Sequence, residues 1–379
     1  MIKQVALVFL FCITIISCST KTVKSTDASS IERHALGKSS IASPQAEADF
    51  VKGKKALKKG NDAMAFKLFR QASEQGHAGA QNNLGMMYSL GKGAPKEEQK
   101  AVKWLQQAAA QELPLAQNNL GMMYSLGKGV TQNDQEAVNW FRKGAEQGLA
   151  EAQLNLGVMY HNGKGVTQND QEAVTWIRKA AEQGYAPAEY NLGLAHLEGI
   201  GAKQSDQEAF KWFSKAAEQN HPIAQNNLGL MYFNGKGVLQ NDREAIKWFQ
   251  KAAEQGYPDA QFHLGIASLK GLGLPEDHQE AFKWFSQAAK KRHGGAQYNL
   301  GVMYSAGDTV TQDYQQAAQW FHQAAQQGYA DAQYNLAVMY YYSENSSEET
   351  RQEAIKWLRQ AAKQGHPKAQ AALEKLVLQ

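Results

Sequence analysis

A single stretch of sequence, from Ala152 to Gly184, decides the fold; it reads AQLNLGVMYHNGKGVTQNDQEAVTWIRKAAEQG. It opens on an alanine that is followed four residues later by a leucine, and this pair returns every 36 residues. The marker alanines are Ala80, Ala116, Ala152, Ala188, Ala224, Ala260, Ala296 and Ala332, and a degenerate ninth copy follows after 37 residues at Ala369. Self-similarity at such a period is the sequence signature of a repeat array.

The first half of each repeat predicts a helix. A proline two residues before the marker is tolerated in a first turn, because its missing N–H has no intrahelical partner there. The prolines in this place are Pro114, Pro222, Pro258 and Pro367. Ala116, Leu120, Met123 and Gly127 share one apolar stripe at 100° per residue. Glycine pairs such as Gly163 and Gly165 then predict the end of this helix.

The second half of each repeat predicts another helix, which begins at a capping box. The boxes are Asn133 with Glu136, Asn169 with Glu172, Asn241 with Glu244, and Thr350 with Glu353. A tryptophan recurs in this helix in eight repeats, at Trp104, Trp140, Trp176, Trp212, Trp248, Trp284, Trp320 and Trp357. Because it is present in each of those units, we interpret it as packing between helices.

Neither helix can bury its apolar stripe alone, so stacking of the units predicts an all-α, α/α solenoid. The spacing indicates about nine helix pairs over residues 46–379. The first pair, Ala46–Gly60 with Ala63–Gly76, is shorter than the others. The last helix, Pro367–Leu378, has no partner and is predicted to cap the open end of the stack.

Composition excludes several classes of protein. Forty Lys and Arg against 36 Asp and Glu give a net charge of +4, which is too balanced for a nucleic-acid-binding protein. Cys12 and Cys18 are the two cysteines of the chain. We therefore expect no disulfide framework and no cysteine-ligated metal in the repeats.

The start of the chain predicts export. Lys3 precedes an apolar run from Val5 to Ile16, which is too short to span a bilayer and fits the apolar region of a signal peptide. The run ends Ile15-Ile16-Ser17-Cys18, which resembles a lipobox and implies lipidation of Cys18. We expect a signal peptide over residues 1–17 and a lipid-anchored flexible linker over residues 18–45, rich in Ser, Thr, Ala and Lys.

The resemblance to a lipoprotein signal also implies a subcellular location. Ser19, rather than Asp, follows Cys18, which favours an outer-membrane lipoprotein that faces the periplasm. The membrane is then reached only through the N-terminal lipid. A soluble periplasmic or secreted protein with an ordinary cleaved signal is the alternative.

The repeat resembles the Sel-one-like repeat (SLR) of the tetratricopeptide superfamily. The matching positions in one copy are Ala152, Leu156, Gly157, Tyr160, Gly163, Gly165, Val166, Ala173, Trp176, Ala180, Ala181, Glu182, Gln183 and Gly184. The resemblance covers residues 46–379 and implies a right-handed superhelix whose concave groove binds protein or extended peptide partners.

Several motifs that could carry chemistry are better explained by structure. The recurring G-x-G follows a helix, whereas a dinucleotide site needs it after a strand. His77, His221, His293 and His366 share a column with Tyr and Leu, which favours an apolar contact at the helix entry. They lie in repeats too far apart to share a metal ion. We therefore predict no catalytic residues, no metal site, no cofactor and no enzymatic activity.

An asparagine column offers a candidate peptide site. It comprises Asn83, Asn119, Asn155, Asn191, Asn227, Asn299 and Asn335, with His263 in the remaining place. An amide both donates and accepts, so a row of amides can bind a peptide backbone without reading its sequence. Tetratricopeptide relatives use asparagine in this way. The alternative is that each amide bonds to the neighbouring repeat and holds the stack.

The residue before each asparagine varies, and four of these residues are aromatic: Tyr190, Phe262, Tyr298 and Tyr334. They project about 180° from the core stripe, which predicts that they face the groove and grip an apolar segment of a partner. The alternative is that they pack on adjacent repeats.

These observations favour a lipid-anchored interaction scaffold of the bacterial cell envelope, with a role in the assembly of envelope complexes or in contact with host proteins. Two other classes remain open. The aromatic column could stack on peptidoglycan or another glycan of the cell wall. Some cysteine-rich SLR proteins have been linked to β-lactams, but this chain lacks their paired cysteines and a Ser-x-x-Lys context.

Overall fold

The computed structural model describes residues 43–343 and 347–377. The described residues form two compact units, which divide between Ser205 and Asp206. All regular elements in the described ranges are α-helices, arranged as nine consecutive pairs and one last unpaired helix. The predicted all-α helix-pair architecture is thus confirmed. We call the first helix of each repeat the A helix and the second the B helix.

The first unit holds five A helices and four B helices. Its A helices are α1 (Pro44–Lys58), α3 (Ala78–Leu90), α5 (Pro114–Leu126), α7 (Ala150–Asn162) and α9 (Ala186–Glu198). Its B helices are α2 (Asp62–Glu74), α4 (Glu98–Ala110), α6 (Asp134–Glu146) and α8 (Asp170–Glu182).

The second unit begins on the B helix of the fifth repeat. Its B helices are α10 (Asp206–Glu218), α12 (Asp242–Glu254), α14 (His278–Lys290), α16 (Tyr314–Gln326) and α18 (Glu348–Lys363). Its A helices are α11 (Pro222–Asn234), α13 (Pro258–Lys270), α15 (Gly294–Ala306) and α17 (Ala330–Tyr341), and α19 (Pro367–Val377) follows the last pair.

Local signals fix most helix ends. The four expected prolines each stand at the first position of an A helix. Gly163 caps α7 in the left-handed conformation, with φ of 62°, as the first glycine of each predicted pair does. Gly127 likewise caps α5, so it ends the helix and does not belong to the buried stripe as predicted. The side chain of Asn133 accepts the backbone N–H of Glu136 at 3.1 Å and begins α6.

One predicted capping box is wrong. Helix α18 begins at Glu348, and the Oγ of Ser347 accepts the backbone N–H of Thr350 at 3.2 Å. Helix α18 has 16 residues, whereas the preceding B helix, α16, has 13. The loop before α18 spans residues 342–347, against 307–313 before α16, so the longer spacing is taken up by the helix and not by the loop. The cap therefore stands at Ser347, three residues before the expected Thr350, which lies inside the helix.

The core is built from small and large residues that alternate between helices. Within a repeat, a Cβ placed on Gly121 of α5 would lie 2.7 Å from the ring of Phe141 on α6. Glycine therefore allows the A and B helices of one repeat to approach closely. Between repeats, Leu105 and Ala108 of α4 pack on Leu120 of α5, and Trp140 covers this cluster. The tryptophan column thus packs between helices as predicted.

Candidate functional site

The A helices of successive repeats lie side by side within each unit and are joined through the asparagine column. The Nδ2 of Asn119 donates to the Oδ1 of Asn82 at 2.8 Å, and that of Asn155 donates to the Oδ1 of Asn118 at 2.8 Å. In the second unit His263 replaces an asparagine, and its Nδ1 lies 2.9 Å from the Oδ1 of Asn226. Each of these bonds connects one repeat with the next.

The asparagine column changes partner where the neighbouring repeat offers no acceptor. Leu154 and Phe262 occupy the place of Asn82 in their repeats. There, Asn191 donates to the carbonyl of Pro187 and Asn299 to that of Gly295, both at 2.7 Å and within their own helices. The half-buried asparagines therefore have a structural role in these repeats. Peptide binding by the column, including Asn83, Asn227 and Asn335, stays a prediction.

The column before the asparagines does not face away from the core, contrary to its expected projection. Asn82, Asn118 and Asn226 in this column are 3–4% exposed. The rings of Phe262 and His293 stack with centroids 4.5 Å apart, and those of Tyr334 and His366 stack at 4.8 Å.

The physical reason is the side-by-side contact of A helices, which turns this column toward the following repeat. Tyr298 packs within its own repeat, with its ring centroid 5.9 Å from that of Phe321 on α16. Tyr190, like the other three aromatics, is half-buried. Their role in gripping a partner stays a prediction, but most of their ring area is used in packing.

One side of the A helices carries exposed or half-buried residues in most repeats, and we call it the open face; in the fifth repeat its Leu194 is only 4% exposed. It comprises the residues one before and 3, 6 and 10 after the marker alanine, which project within about 60° of each other. Leu90 is 44% exposed, Leu115 36% and Val302 37%. The open face thus combines the asparagine column with a column that is apolar in every repeat: Met86, Met122, Val158, Leu194, Leu230, Ile266, Val302 and Val338.

A second ladder, built from glutamines, was not predicted from the sequence. The Nε2 of Gln153 donates to the carbonyl of Ala145 at 3.1 Å, and its Oε1 accepts from Gln183 at 2.8 Å. Six repeats show this glutamine pair: Gln81 with Gln111, Gln117 with Gln147, Gln153 with Gln183, Gln225 with Gln255, Gln297 with Gln327, and Gln333 with Gln364. The recurrence of Gln after every marker alanine except Ala188, which Glu189 follows, was the available signal.

The histidine column makes the predicted contacts at the helix entry, as where His293 stacks on Phe262, and it also forms polar caps that were not predicted. The Nδ1 of His77 accepts the backbone N–H of Ala80 at 3.2 Å, and its Nε2 lies 3.0 Å from a carboxylate oxygen of Glu47. A neutral imidazole with its proton on Nε2 satisfies both partners at once. His293 and Asp259 repeat this arrangement at 3.1 Å. Where Leu113 or Tyr185 takes this position, the side chain makes no capping hydrogen bond.

Burial shifts the pKa of two histidines. Burial lowers the pKa of His221 to about 4. Burial also lowers the pKa of His263 to about 4, against the opposing charge of Asp259 and together with His293. Burial alone would raise the pKa of Asp259, but the hydrogen bonds from His293 and Tyr257 outweigh it and hold that pKa below its ordinary value. At neutral pH both histidines are uncharged.

Within residues 43–343 and 347–377, no helix is long and apolar enough to cross a membrane. The same part of the chain contains no group of three or more His, Cys, Asp or Glu side chains placed to hold a metal ion. Cys18, the predicted lipidation site, lies outside the described residues.

Comparison with known proteins identifies the repeat. The family model of the Sel1 repeat matches nine consecutive segments, residues 51–77, 78–113, 114–149, 150–185, 186–221, 222–257, 258–293, 295–329 and 330–366. A search of curated proteins gave no significant match.

Two solved structures with high coverage share this architecture. The chain is similar to c5321, a protective antigen of uropathogenic Escherichia coli with an SLR fold, at 37% identity and a TM-score of 0.71. The match covers 83% of this chain and 67% of that one. A Sel1 repeat protein from Oxalobacter formigenes is 33% identical over 86% of this chain and 93% of that one, with a TM-score of 0.62. The chain therefore belongs to the Sel1 repeat family, whose members generally mediate protein–protein interactions and are typically not enzymes.

Proposed function

We propose that this protein is a lipid-anchored scaffold of the bacterial cell envelope that docks protein or extended peptide segments on the open face of its A helices. It binds without catalysis or cofactor. The observation that carries this proposal is the composition of the open face, where exposed apolar side chains run beside a row of amides within each unit.

The chemistry of the open face fits an extended, partly apolar segment. Leu90 and Leu115 in the first unit, and Val302 in the second, expose apolar area that no neighbouring helix covers. Burying it against a partner contributes about 25 cal/mol per Å². Each neighbouring asparagine amide has two hydrogens and two acceptor lone pairs, so one intramolecular bond leaves capacity for a peptide N–H or C=O.

The proposed subcellular location rests on the N-terminal sequence and on one relative. Residues 1–17 carry the signal, Cys18 carries the lipid, and the linker to residue 45 separates the repeats from the membrane. The E. coli relative is a protective antigen. This supports an exported location for the present chain, as an outer-membrane lipoprotein.

Photo-crosslinking in intact cells tests the docking surface. A photoreactive phenylalanine replaces Leu115 or Val302 on the open face, and Lys103 on an exposed side of α4 serves as the control. We expect adducts with the same partner protein at positions 115 and 302 and none at 103. Equal adducts at all three positions, or none on the open face, would reject docking there.

Membrane fractionation tests the anchor separately. Wild type should sediment with the outer membrane and be released by detergent. Cys18→Ala should leave the repeats folded and move the protein to the soluble periplasmic fraction. Unchanged membrane recovery of the variant would reject lipidation while leaving the docking surface untouched.

A further inference from the structure

The B helix of the seventh repeat ends on residues that depart from the rest of the array. Helices α6, α8 and α12 end at Glu-Gln-Gly, as at Glu254-Gln255-Gly256, whereas α14 is followed through Lys290-Lys291-Arg292. The backbone of Arg292 is left-handed, with φ of 64°, a conformation that glycine supplies with less strain. The B helices of the other repeats end in the usual way without these cations, so the cations are not required to end the helix.

The departure removes one pair from the glutamine ladder. In the flanking repeats, Gln255 donates to Gln225 at 2.8 Å and Gln327 donates to Gln297 at 2.6 Å. Lys291 stands in the place of the donor, and its Nζ donates instead to the carbonyl of Gly256. The Oε1 of Gln261 is left without a partner, although Gln261 is only 3% exposed. Buried polar atoms are paired in the great majority of cases, so an unpaired acceptor needs a specific explanation.

An open cavity of about 540 Å³ lies at this position, and we call it the α14 pocket. Its lining is mostly apolar, with Ala253 and Trp284 among its walls, and Gln261 also lines it. Two lysines, Lys290 and Lys291, face one glutamate, Glu254, so the lining carries a net charge of +1.

The tryptophan of this pocket lacks a cover that other repeats have. In four repeats a lysine three residues further along the B helix lies over the indole, for instance Lys251 at 3.9 Å from the Trp248 centroid and Lys179 at 3.8 Å from that of Trp176. Gln287 occupies this position beside Trp284. The indole is therefore free of that cation contact, and Trp284 lines the pocket.

We propose that the α14 pocket binds an acidic peptide segment, as a second docking site beside the open face. A carboxylate of the ligand pairs with Lys290, a backbone N–H of the ligand donates to the Oε1 of Gln261, and an apolar side chain packs on Trp284. This combination of a carboxylate, an N–H donor and an apolar group within one short segment is the chemistry of a peptide. This inference rests on the proposed function in one respect, namely that the ligand is a peptide.

Fluorescence anisotropy on the full chain in detergent tests this pocket. The probe is fluorescein-labelled Ala-Phe-Asp-Glu-Ala, and the comparison probe is its neutral analogue Ala-Phe-Asn-Gln-Ala. Lys291→Gln restores the residue found elsewhere, which donates to Gln261 and closes the acceptor. Lys290→Glu restores the usual acid of this column. Lys283→Gln, on the same helix and outside the pocket, removes the same charge and is the control.

We expect Lys291→Gln and Lys290→Glu each to weaken binding of the acidic probe by about tenfold or more, the effect of one lost charged hydrogen bond. Lys283→Gln should bind within twofold of wild type, and the neutral probe should bind less tightly than the acidic one. A thermal midpoint of Lys291→Gln at or above wild type shows that the fold is kept.

Three results would overturn the proposal: no saturable binding of the acidic probe, equal binding of both probes, or unchanged affinity in Lys291→Gln. Saturable binding of polygalacturonate in place of the peptide would also overturn it, by assigning the pocket to acidic glycans. These outcomes leave the crosslinks at positions 115 and 302 unaffected, so failure of the pocket is distinguishable from failure of the open face.

Discussion

Histidine serves two different purposes in this chain. In its own column, as at His77, the ring caps an A helix and reaches a carboxylate of the preceding A helix. His263 instead takes the place of an asparagine and joins Asn226 across the repeat boundary. Because burial disfavours the charged form of the His263 ring, its position makes the free energy of unfolding sensitive to acid.

The acid sensitivity predicts an effect of His263→Asn. The folded pKa of His263, about 4, lies below its unfolded value of about 6.5. The unfolded state therefore binds the proton first, and stability falls as pH drops from about 6.5 to 4. Asparagine keeps the bond to Asn226 and does not titrate. Over this pH range, the free energy of unfolding should therefore fall less in the variant than in wild type, by a difference of at most about 3 kcal/mol.

Urea unfolding at pH 7, 5.5 and 4.5 measures this difference. His221 also titrates in this window, so the variant should reduce the acid loss without abolishing it. His278→Asn, at an ion pair with Glu276 on the surface, is the control and should behave as wild type. Identical pH profiles for His263→Asn and wild type would contradict the prediction.

The glutamine ladder predicts a different single-residue effect. Gln327→Ala removes the donor to the Oε1 of Gln297, which is 1% exposed. Leaving a buried acceptor unpaired costs about 1–3 kcal/mol. Gln326→Ala changes an exposed neighbour on the same turn and should be nearly neutral. Equal midpoints of chemical unfolding for the two variants would show that the ladder does not stabilise the stack.

At the scale of helices, close approach within a repeat depends on a glycine facing a large B-helix residue. A Cβ on Gly229 of α11 would lie 2.6 Å from the Phe249 ring of α12. Gly229→Ala should therefore destabilise by about 1–3 kcal/mol through overpacking, partly offset by the higher helix propensity of alanine.

A second substitution makes this prediction specific. Ala337 occupies the glycine position in the ninth repeat, where Leu358 of α18 stands in the B-helix column of Phe249. Adding Phe249→Leu to Gly229→Ala should recover part of the lost stability, measured as the thermal midpoint. If the double variant is less stable than the sum of the two single changes, the clash is not the cause.

Sequence reasoning predicted the helices well because their end signals are local. Pro114 at a first turn, Gly163 at a left-handed cap and Asn133 at an N-cap each act within one turn of chain. The cap of α18 was missed because this helix begins earlier, at Glu348 with Ser347 as its cap, than the spacing of the other repeats predicts. The glutamine ladder was missed because Gln153 reads as a surface residue until the preceding repeat supplies the carbonyl of Ala145 and its own repeat supplies Gln183.

At the scale of the whole molecule, the stack of the second unit ends on a helix without a B partner. Ala369 of α19 is fully buried and completes a cluster with Ala337, Ala354 and Leu358. Terminal repeats need such a cover because their outer apolar face otherwise meets water.

Truncation after Gly365 removes α19 and should expose this cluster. We expect a lower thermal midpoint and concentration-dependent self-association, measured by light scattering after size-exclusion chromatography. Truncation after Val377 is the control and should remain like wild type. A monomer of unchanged midpoint after the shorter truncation would show that α19 does not protect the end of the stack.

The candidate site was predicted less completely than the fold. The sequence identified the asparagine column and the aromatic column from their recurrence. It placed Phe262 on the wrong side, because the side that an A helix presents to its neighbour depends on how repeats stack. Leu115 and Val302 gave no sequence signal, since an exposed apolar residue on a helix looks like any core residue.

The hydrogen bonds between the asparagine columns of adjacent repeats also affect how a repeat array can gain or lose whole repeats. Each joins a side chain to one of the adjoining repeat, as Asn155 joins Asn118. Excision of residues 114–149 would set Asn155 beside Asn82, which is again an asparagine. Each remaining hydrogen bond between repeats would then have an equivalent partner. Recombination between such near-identical segments of the gene can therefore alter copy number by whole units and still yield a foldable product.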